Sequence, residues 1–348
     1  MTKFMTIYPR WTLRQRTSNQ HPTHGRRKHI PITRMNEAPT QLEKLQIRQQ
    51  NMNRSLQATL DMLSRCAPDK YDLIAIQKPY IDFLGNAQAG SHWYLIYLKS
   101  HYSSTGTCTW LMILINKWIA TETWEKIEIE SPDVTGIKVK TQTGVIQIYN
   151  IYCNCSHSDS IMAINSYIDS QRQQNNNQPH NAQMIWLGDF NRHHPQWDKP
   201  QNSHLFTQAN LDVAHTLIDA MEQYNLHMML PEHIPTLQAF STGNHMRTDN
   251  VFATTKLNNS VTTCKTVPEE QLIKTDHYPI DTEIVLTIKR AIENPKHNFW
   301  KVDWKEFQNY IKEIRAYQNT NWQVPTLFTE NSKRSRQPSQ KQLRNLYQ

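Results

Sequence analysis

Apolar residues in this chain come in short runs, and the runs fall between about residues 45 and 290. LQIRQQN, residues 45–51, alternates weakly, as a strand does. Leu56, Leu60 and Leu63 then keep helical spacing up to Cys66, and Pro68 ends that helix. DLIAIQ, residues 72–77, has an unbroken apolar middle that suits a sheet interior, and Lys78-Pro79 stops it. Two more apolar runs, 93–98 and 110–115, flank the polar loop KSHYSSTGTC. GVIQIYNIYC, residues 144–153, alternates with Ile146, Ile148 and Asn150 on one side. A helix is expected over 158–171, followed by the Gln/Asn-rich loop QRQQNNNQPH. MIWL, residues 184–187, reads as a buried strand. Leu211, Ala214, Leu217, Ile218 and Met221 mark an amphipathic helix. Residues 247–253, 261–267 and 280–288 read as the final strands. Strands arrive partly in pairs and partly with helices between them, the pattern of a mixed-sheet α/β sandwich.

The flanks differ in kind. Residues 1–44 are rich in Arg, Thr, His, Pro and Gln without periodicity and are expected to be disordered. After residue 290 a polar bridge leads to Trp304, Phe307, Ile311 and Ile314, which mark one helix over 304–316; the rest, to residue 348, is a polar, basic tail. The 348-residue chain has a formal net charge of +8, a pI near 9.1 and a mean hydropathy of −0.71. Residues 1–34 hold eight Lys/Arg and no acid, and residues 331–348 hold five and no acid, so the middle is mildly acidic. Cationic ends suit nonspecific contact with a polyanion, although solvated disorder explains them equally well.

Cys66, Cys108, Cys153, Cys155 and Cys264 show no framework spacing, and the Cys153–Cys155 pair is too close and too isolated for a zinc site. Reduced thiols in an intracellular compartment are expected. GRRKH, residues 25–29, is a candidate nuclear signal. No apolar run approaches the length of a membrane span, and the N-terminus lacks a signal-like apolar segment, so no membrane partner is expected.

Polar groups cluster at strand ends. Asp189 and Asn191 follow MIWL-Gly188 at once. A carboxylate there can hold a metal or deprotonate water, and a carboxamide can donate to a phosphate oxygen. The plain alternative is a polar turn that caps the next element. Asn51 ends the first strand, Tyr152 lies near the end of GVIQIYNIYC, Asp249 begins DNVFA, and Asp276-His277 falls in KTDHYPI. Asp249 with a distant His277 suits a carboxylate that fixes an imidazole tautomer, or keeps it protonated, as it faces a phosphate. The adjacent His193 and His194 cannot both easily face one ion and are read as turn residues beside Trp197. Trp93, Trp110 and Trp118 are read as core or edge aromatics, with a nucleic-acid-facing role open to them.

WLGDFN, TDHYPI, the Asn-x-Asn at Asn51–Asn53 and DNVFA together resemble the endonuclease/exonuclease/phosphatase superfamily. GDFNRHHPQWD resembles, more closely, the apurinic-type endonuclease domain of non-LTR (LINE-type) retrotransposon proteins. The resemblance spans about residues 45–290, and FWKVDW with the 304–316 helix is similar to the segment such polyproteins carry before a reverse transcriptase. It implies a four-layer α/β sandwich, two mixed sheets face to face with helices outside. It implies DNA as partner and Mg²⁺ (or Mn²⁺) as cofactor, in hydrolysis that nicks a phosphodiester. By the same resemblance, Asn51 and Asp276 lie near the metal, Asp189 is the general base, and Asn191 and Thr236 hold the phosphate. Tyr152 contacts phosphate, and Asp249 with His277 faces it.

One position departs. The family pattern places its metal-binding Glu after the second strand, where this chain reads Ile76-Gln77-Lys78-Pro79. A hard dication needs anionic oxygen ligands, and Lys78 offers a cation. The expectation is therefore a retrotransposon-type endonuclease domain whose activity Lys78 impairs. The site is dead, or binds metal weakly through Asp276 and Asp189, or opens when Lys78 swings out. The rival readings are a catalytically inactive nucleic-acid-binding remnant of the same fold and a small-molecule phosphodiesterase or phosphatase.

Overall fold

In the computed structural model the described residues are 41–101, 109–174, 183–291, 308, 309 and 312. One six-stranded sheet joins the two ends of the body. It holds β1 (Gln41–Asn51), β2 (Leu73–Gln77), β3 (Trp93–Tyr97), β4 (Leu111–Asn116), β13 (Val261–Thr266) and β14 (Ile280–Lys289), in the order β13-β14-β1-β2-β4-β3. The other sheet holds β5 (Trp124–Ile127), β6 (Val134–Thr141), β7 (Gly144–Tyr152), β8 (Gln183–Asp189), β9 (Leu226–Met228) and β12 (Asp249–Thr254), in the order β5-β6-β7-β8-β12-β9. Both sheets are mixed: β1 runs parallel to β2 and β7 parallel to β8, while the other pairs are antiparallel. A short hairpin, β10 (Leu237–Gln238) with β11 (His245–Met246), stands apart.

Three apolar clusters define four layers. Leu45, Ile47, Leu73, Ala75, Ile146, Ile148, Ile185, Leu187 and Val251 pack between the sheets. Tyr149, Ile151, Met184 and Trp186 face the other way, onto helices α2 (Asp159–Gln174) and α3 (Gln208–Gln223). Ile74 and Ile76 face α1 (Leu56–Arg65) through Met62. β2, β4, β8 and β12 thus alternate between two buried faces, which is why the first three read as continuous apolar runs. At roughly 25 cal/mol per Å² of apolar surface removed from water, these clusters are the main stabilising term.

The expected four-layer sandwich is the fold found. Differences lie in detail. The first strand begins at Gln41, earlier than residue 45. On α1 the buried residues are Ala58, Thr59 and Met62, whereas Leu56 and Leu60 are 40% and 50% exposed and only Leu63 of the three spaced leucines packs against the core. Strands β5, β6 and β9 and the hairpin were not expected. The expected 304–316 helix is described only at residues 308, 309 and 312, which are helical; residues 1–40 and the Gln/Asn-rich stretch 175–182 lie outside the described residues. No described helix is long and apolar enough to cross a membrane.

Asp72, just before β2, is a buried acid whose Oδ2 accepts from the Gln46 N–H at 2.8 Å. Burial pushes its carboxyl up to about 6, partly opposed by that hydrogen bond and by Arg290. The folded-state value lies above the unfolded one, so the proton stabilises the fold below about pH 4, and that gain is lost as pH rises through about 6. Asp72→Asn should therefore be more stable than wild type at pH 8, on the order of 2 kcal/mol, with the gap closing by pH 4. Urea unfolding of both proteins at the two pH values checks this; a gap that is the same at both would refute it.

Candidate active site at the strand ends

The alternation that builds the inter-sheet core continues past its apolar part. Following Leu45 and Ile47 on β1, the same face carries Gln49 and Asn51; following Leu73 and Ala75 on β2, it carries Gln77. Following Ile146 and Ile148 on β7 come Asn150 and Tyr152, and following Ile185 and Leu187 on β8 comes Asp189. Asp249 opens β12 on the face of Val251. Register brings these ends level: Asn51 pairs with Gln77, Tyr152 with Asp189, and Asp249 with Asp189. One end of the sandwich is therefore lined by polar side chains from both sheets.

These groups satisfy one another. Asn51 Nδ2 donates to Asp189 Oδ2 at 2.8 Å, Gln49 Nε2 to the Gly188 carbonyl at 3.0 Å, and Gln77 Nε2 to Asn150 Oδ1 at 2.6 Å. Asn150 Nδ2 donates in turn to the Ile76 and Met112 carbonyls, both at 3.0 Å. Gly188 is required beside Asp189: with φ at +146°, a Cβ would meet the Ile151 carbonyl oxygen at 1.9 Å.

Asp189 is fully buried. Burial pushes its carboxyl up, as does the nearby Asp249 charge, while His277, Lys78 and Asn51 oppose the shift. A raised carboxyl is a better proton acceptor, which suits the base expected there. His277 Nδ1 lies 2.8 Å from Asp249 Oδ2, and its Nε2 lies 4.0 Å from Asp189 Oδ2 and 3.9 Å from Asp276 Oδ1. Burial lowers the imidazole, but Asp249, with Asp189 and Asp276, outweighs it and holds His277 at about 9. His277 is thus an imidazolium near neutrality.

Asn191 takes a left-handed backbone (φ 48°), and its Nδ2 donates to the Cys153 carbonyl at 2.9 Å. Tyr152 stands half-buried at the mouth. Thr236 is fully buried, and its hydroxyl accepts from the backbone N–H groups of Thr248 and Asp249, both at 3.1 Å. It holds the start of β12, and so positions Asp249. His193 and His194 face Asp198 and Trp197 in a turn, away from this cluster. A separate hollow of about 670 Å³ lies by Lys199, His204, His233 and His245, and none of the expected site residues lines it.

The ligand atoms of Asp189, Asp249 and His277 lie within 4.8 Å of one another, so this trio could hold a metal ion. It could do so only if His277 gave up its proton, because an imidazolium has no lone pair to offer. The Asn51 side fits a dication less well. Asn51 Oδ1 already accepts from the Asn53 N–H at 2.9 Å. Lys78 occupies that side with a positive charge. Alternation would send residue 78 toward α1 with Ile74 and Ile76. Instead its backbone turns left-handed (φ 45°), and its Nζ lies 4.9 Å over the Tyr152 ring. Tyr152 stacks on Trp110 at 5.6 Å, and the Arg54 guanidinium lies over the Trp110 ring at 3.7 Å. No sequence signal joins Arg54, Lys78, Trp110 and Tyr152; only the fold does.

Thr236→Val keeps the shape and removes an acceptor from two buried amides. It should cost about 1–3 kcal/mol of folding stability without any substrate present. A urea unfolding midpoint equal to wild type would mean that the hydroxyl does not position Asp249.

A family described as endonuclease–reverse transcriptase matches residues 146–281. No curated protein sequence matches the chain. Among solved structures, the endonuclease domain of TRAS1, a telomere-specific non-LTR retrotransposon, aligns with a TM-score of 0.51 and 16% identity, covering 69% of this chain and 98% of that one. An AP endonuclease from Leishmania major aligns with a TM-score of 0.53 and 11% identity, covering 70% of this chain and 88% of that one. The 3′ phosphatase NExo from Neisseria, bound to product DNA hairpin, aligns with a TM-score of 0.50 and 14% identity, covering 69% and 99%. The described body of this chain thus has the endonuclease/exonuclease/phosphatase fold, and its residues 146–281 are similar to the family described as endonuclease–reverse transcriptase.

Proposed function

We propose that this chain is a retroelement-type endonuclease domain that grips the phosphodiester backbone of DNA and nicks it poorly. The observation that supports this most is the convergence of three groups. Asp189 is fixed by Asn51 at 2.8 Å, and it faces His277 at 4.0 Å, while His277 is paired with Asp249 at 2.8 Å. A raised, oriented carboxylate can take the proton of an attacking water. The imidazolium faces the charge that develops on the phosphate. Asn191 spends one amide N–H on Cys153, which leaves the other for a phosphate oxygen. Tyr152 adds a hydroxyl at the mouth. Magnesium or manganese is the ion that the resemblance implies, and it would supply Lewis-acid stabilisation. The residues on the Asn51 side do not fit it, so slow or absent turnover is the expected wild-type behaviour. A reverse-transcriptase region downstream in a longer polyprotein is part of the same proposal, supported by the name of the matching family.

A second reading, DNA binding without cleavage, is favoured by Lys78 itself. Relaxation of supercoiled plasmid in Mg²⁺ separates the two. Wild type should nick slowly or not at all, and Lys78→Glu should nick faster by orders of magnitude. Asp189→Asn in either background should abolish cleavage. Folded Lys78→Glu protein that stays inert would sink the endonuclease reading. Wild type that already cuts as fast as Lys78→Glu would show that the lysine is no obstacle.

A further inference from the structure

Lys78 does not simply occupy the site; it is held in place there. Its N–H donates to the Trp110 carbonyl at 2.7 Å, and its carbonyl accepts from the Arg54 N–H at 2.8 Å. Those two hydrogen bonds fix a left-handed backbone that a non-glycine residue adopts at a cost of about 1–2 kcal/mol. The side chain then lies on the Tyr152 ring, and Tyr152 is backed by Trp110 and Trp110 by Arg54. The result is a column of contacts, Lys78 on Tyr152, Tyr152 on Trp110 and Arg54 on Trp110. A cation over a ring face is attracted by the ring quadrupole, so the column orders the ammonium as well as the guanidinium.

Charge at the mouth follows. Asp189, Asp249 and Asp276 contribute three carboxylates around the His277 imidazolium. The Lys78 ammonium is the further cation close enough to Asp189 to bear on it, and it is only partly buried. An arriving dication would meet like charge there. An arriving phosphate would meet an ordered ammonium with donors to spare, beside Tyr152 and near Asp189.

We propose that Lys78, ordered by the Arg54–Trp110–Tyr152 column, is a built-in cation that binds the DNA phosphate at this site without any divalent metal. The proposal rests on the nucleic-acid reading above and adds that the affinity is indifferent to divalent ions. Phosphate neutralisation by one fixed ammonium replaces a charge that would otherwise have to be recruited from solution.

Fluorescence anisotropy with a labelled 20-base-pair duplex at one fixed salt concentration tests it, in EDTA and in CaCl₂ in parallel. Wild type should bind equally in both, within about twofold. Lys78→Gln should weaken binding about tenfold in both, the size of one charge-assisted contact, and Lys78→Arg should restore most of it. The basic ends are common to all variants and cancel in the comparison. Circular dichroism melts should show all three folded; if Lys78→Gln unfolds, the wild-type comparison of EDTA with CaCl₂ still decides. Wild-type affinity that rises tenfold with Ca²⁺, or Lys78→Gln that binds like wild type, would overturn this proposal and leave DNA binding intact. Wild type that binds no duplex in either buffer would overturn the nucleic-acid reading itself.

Discussion

Side chains on paired strands alternate between two faces, and that constraint decides where the chemistry of this protein sits. The face that β1, β2, β7, β8 and β12 turn toward each other is apolar for most of its length and polar at one end. Hydrophobic burial along the apolar part fixes strand register, because a slip of one residue would turn every apolar side chain to the wrong face. Once register is fixed, Asn51, Gln77, Tyr152, Asp189 and Asp249 fall level with no further instruction. The site is the place where the core runs out of apolar residues.

A buried polar end is costly unless its groups pair. Here most do, through Asn51–Asp189, Gln49–Gly188, Gln77–Asn150 and His277–Asp249. The satisfaction is incomplete. Gln49, Gln50 and Gln77 each keep a buried Oε1 without a protein partner, and Asp189 and Asp249 hold like charges close together. Each such group costs about 1–3 kcal/mol against a fully paired or apolar alternative. A sandwich selected for stability alone would close this end with Leu or Val. Its polarity suits a polar or charged ligand better than a sealed core.

This division between core and mouth also explains what the sequence could reveal. β2, β7 and β8 are buried on both faces, so their runs read as strands. β5 (WEKI) and β6 (VTGIKVKT) carry Lys on a partly solvated face, and their polar residues hide them. α1 misled because Leu56 and Leu60 lie toward solvent and its packing rests on Ala58, Thr59 and Met62, with Leu63 beside them. Asp189, Asn191, Asp249 and His277 were legible as motif residues. Gln49, Gln77 and Asn150, which join the sheets behind them, were not, because Gln and Asn inside a strand look like ordinary surface positions. The positioning role of Thr236 also needed coordinates: in the fold its hydroxyl oxygen accepts from two backbone amides at the start of β12, which leaves its O–H as a donor.

Position 78 lies at the limit of what register controls. It comes one residue after β2 ends, in a left-handed turn held by backbone hydrogen bonds to Trp110 and Arg54. Those bonds do not depend on which side chain residue 78 bears. The fold therefore specifies that a side chain from this turn reaches the mouth beside Tyr152, and leaves the charge of that side chain open. One substitution there reverses the charge at position 78, while the Asn51–Asp189 bond and the Asp249–His277 pair are made by other residues. On the proposed reading, such a scaffold retains a grip on phosphate while losing the machinery to cut it, because binding needs a cation at this point and hydrolysis needs one with the right coordination geometry.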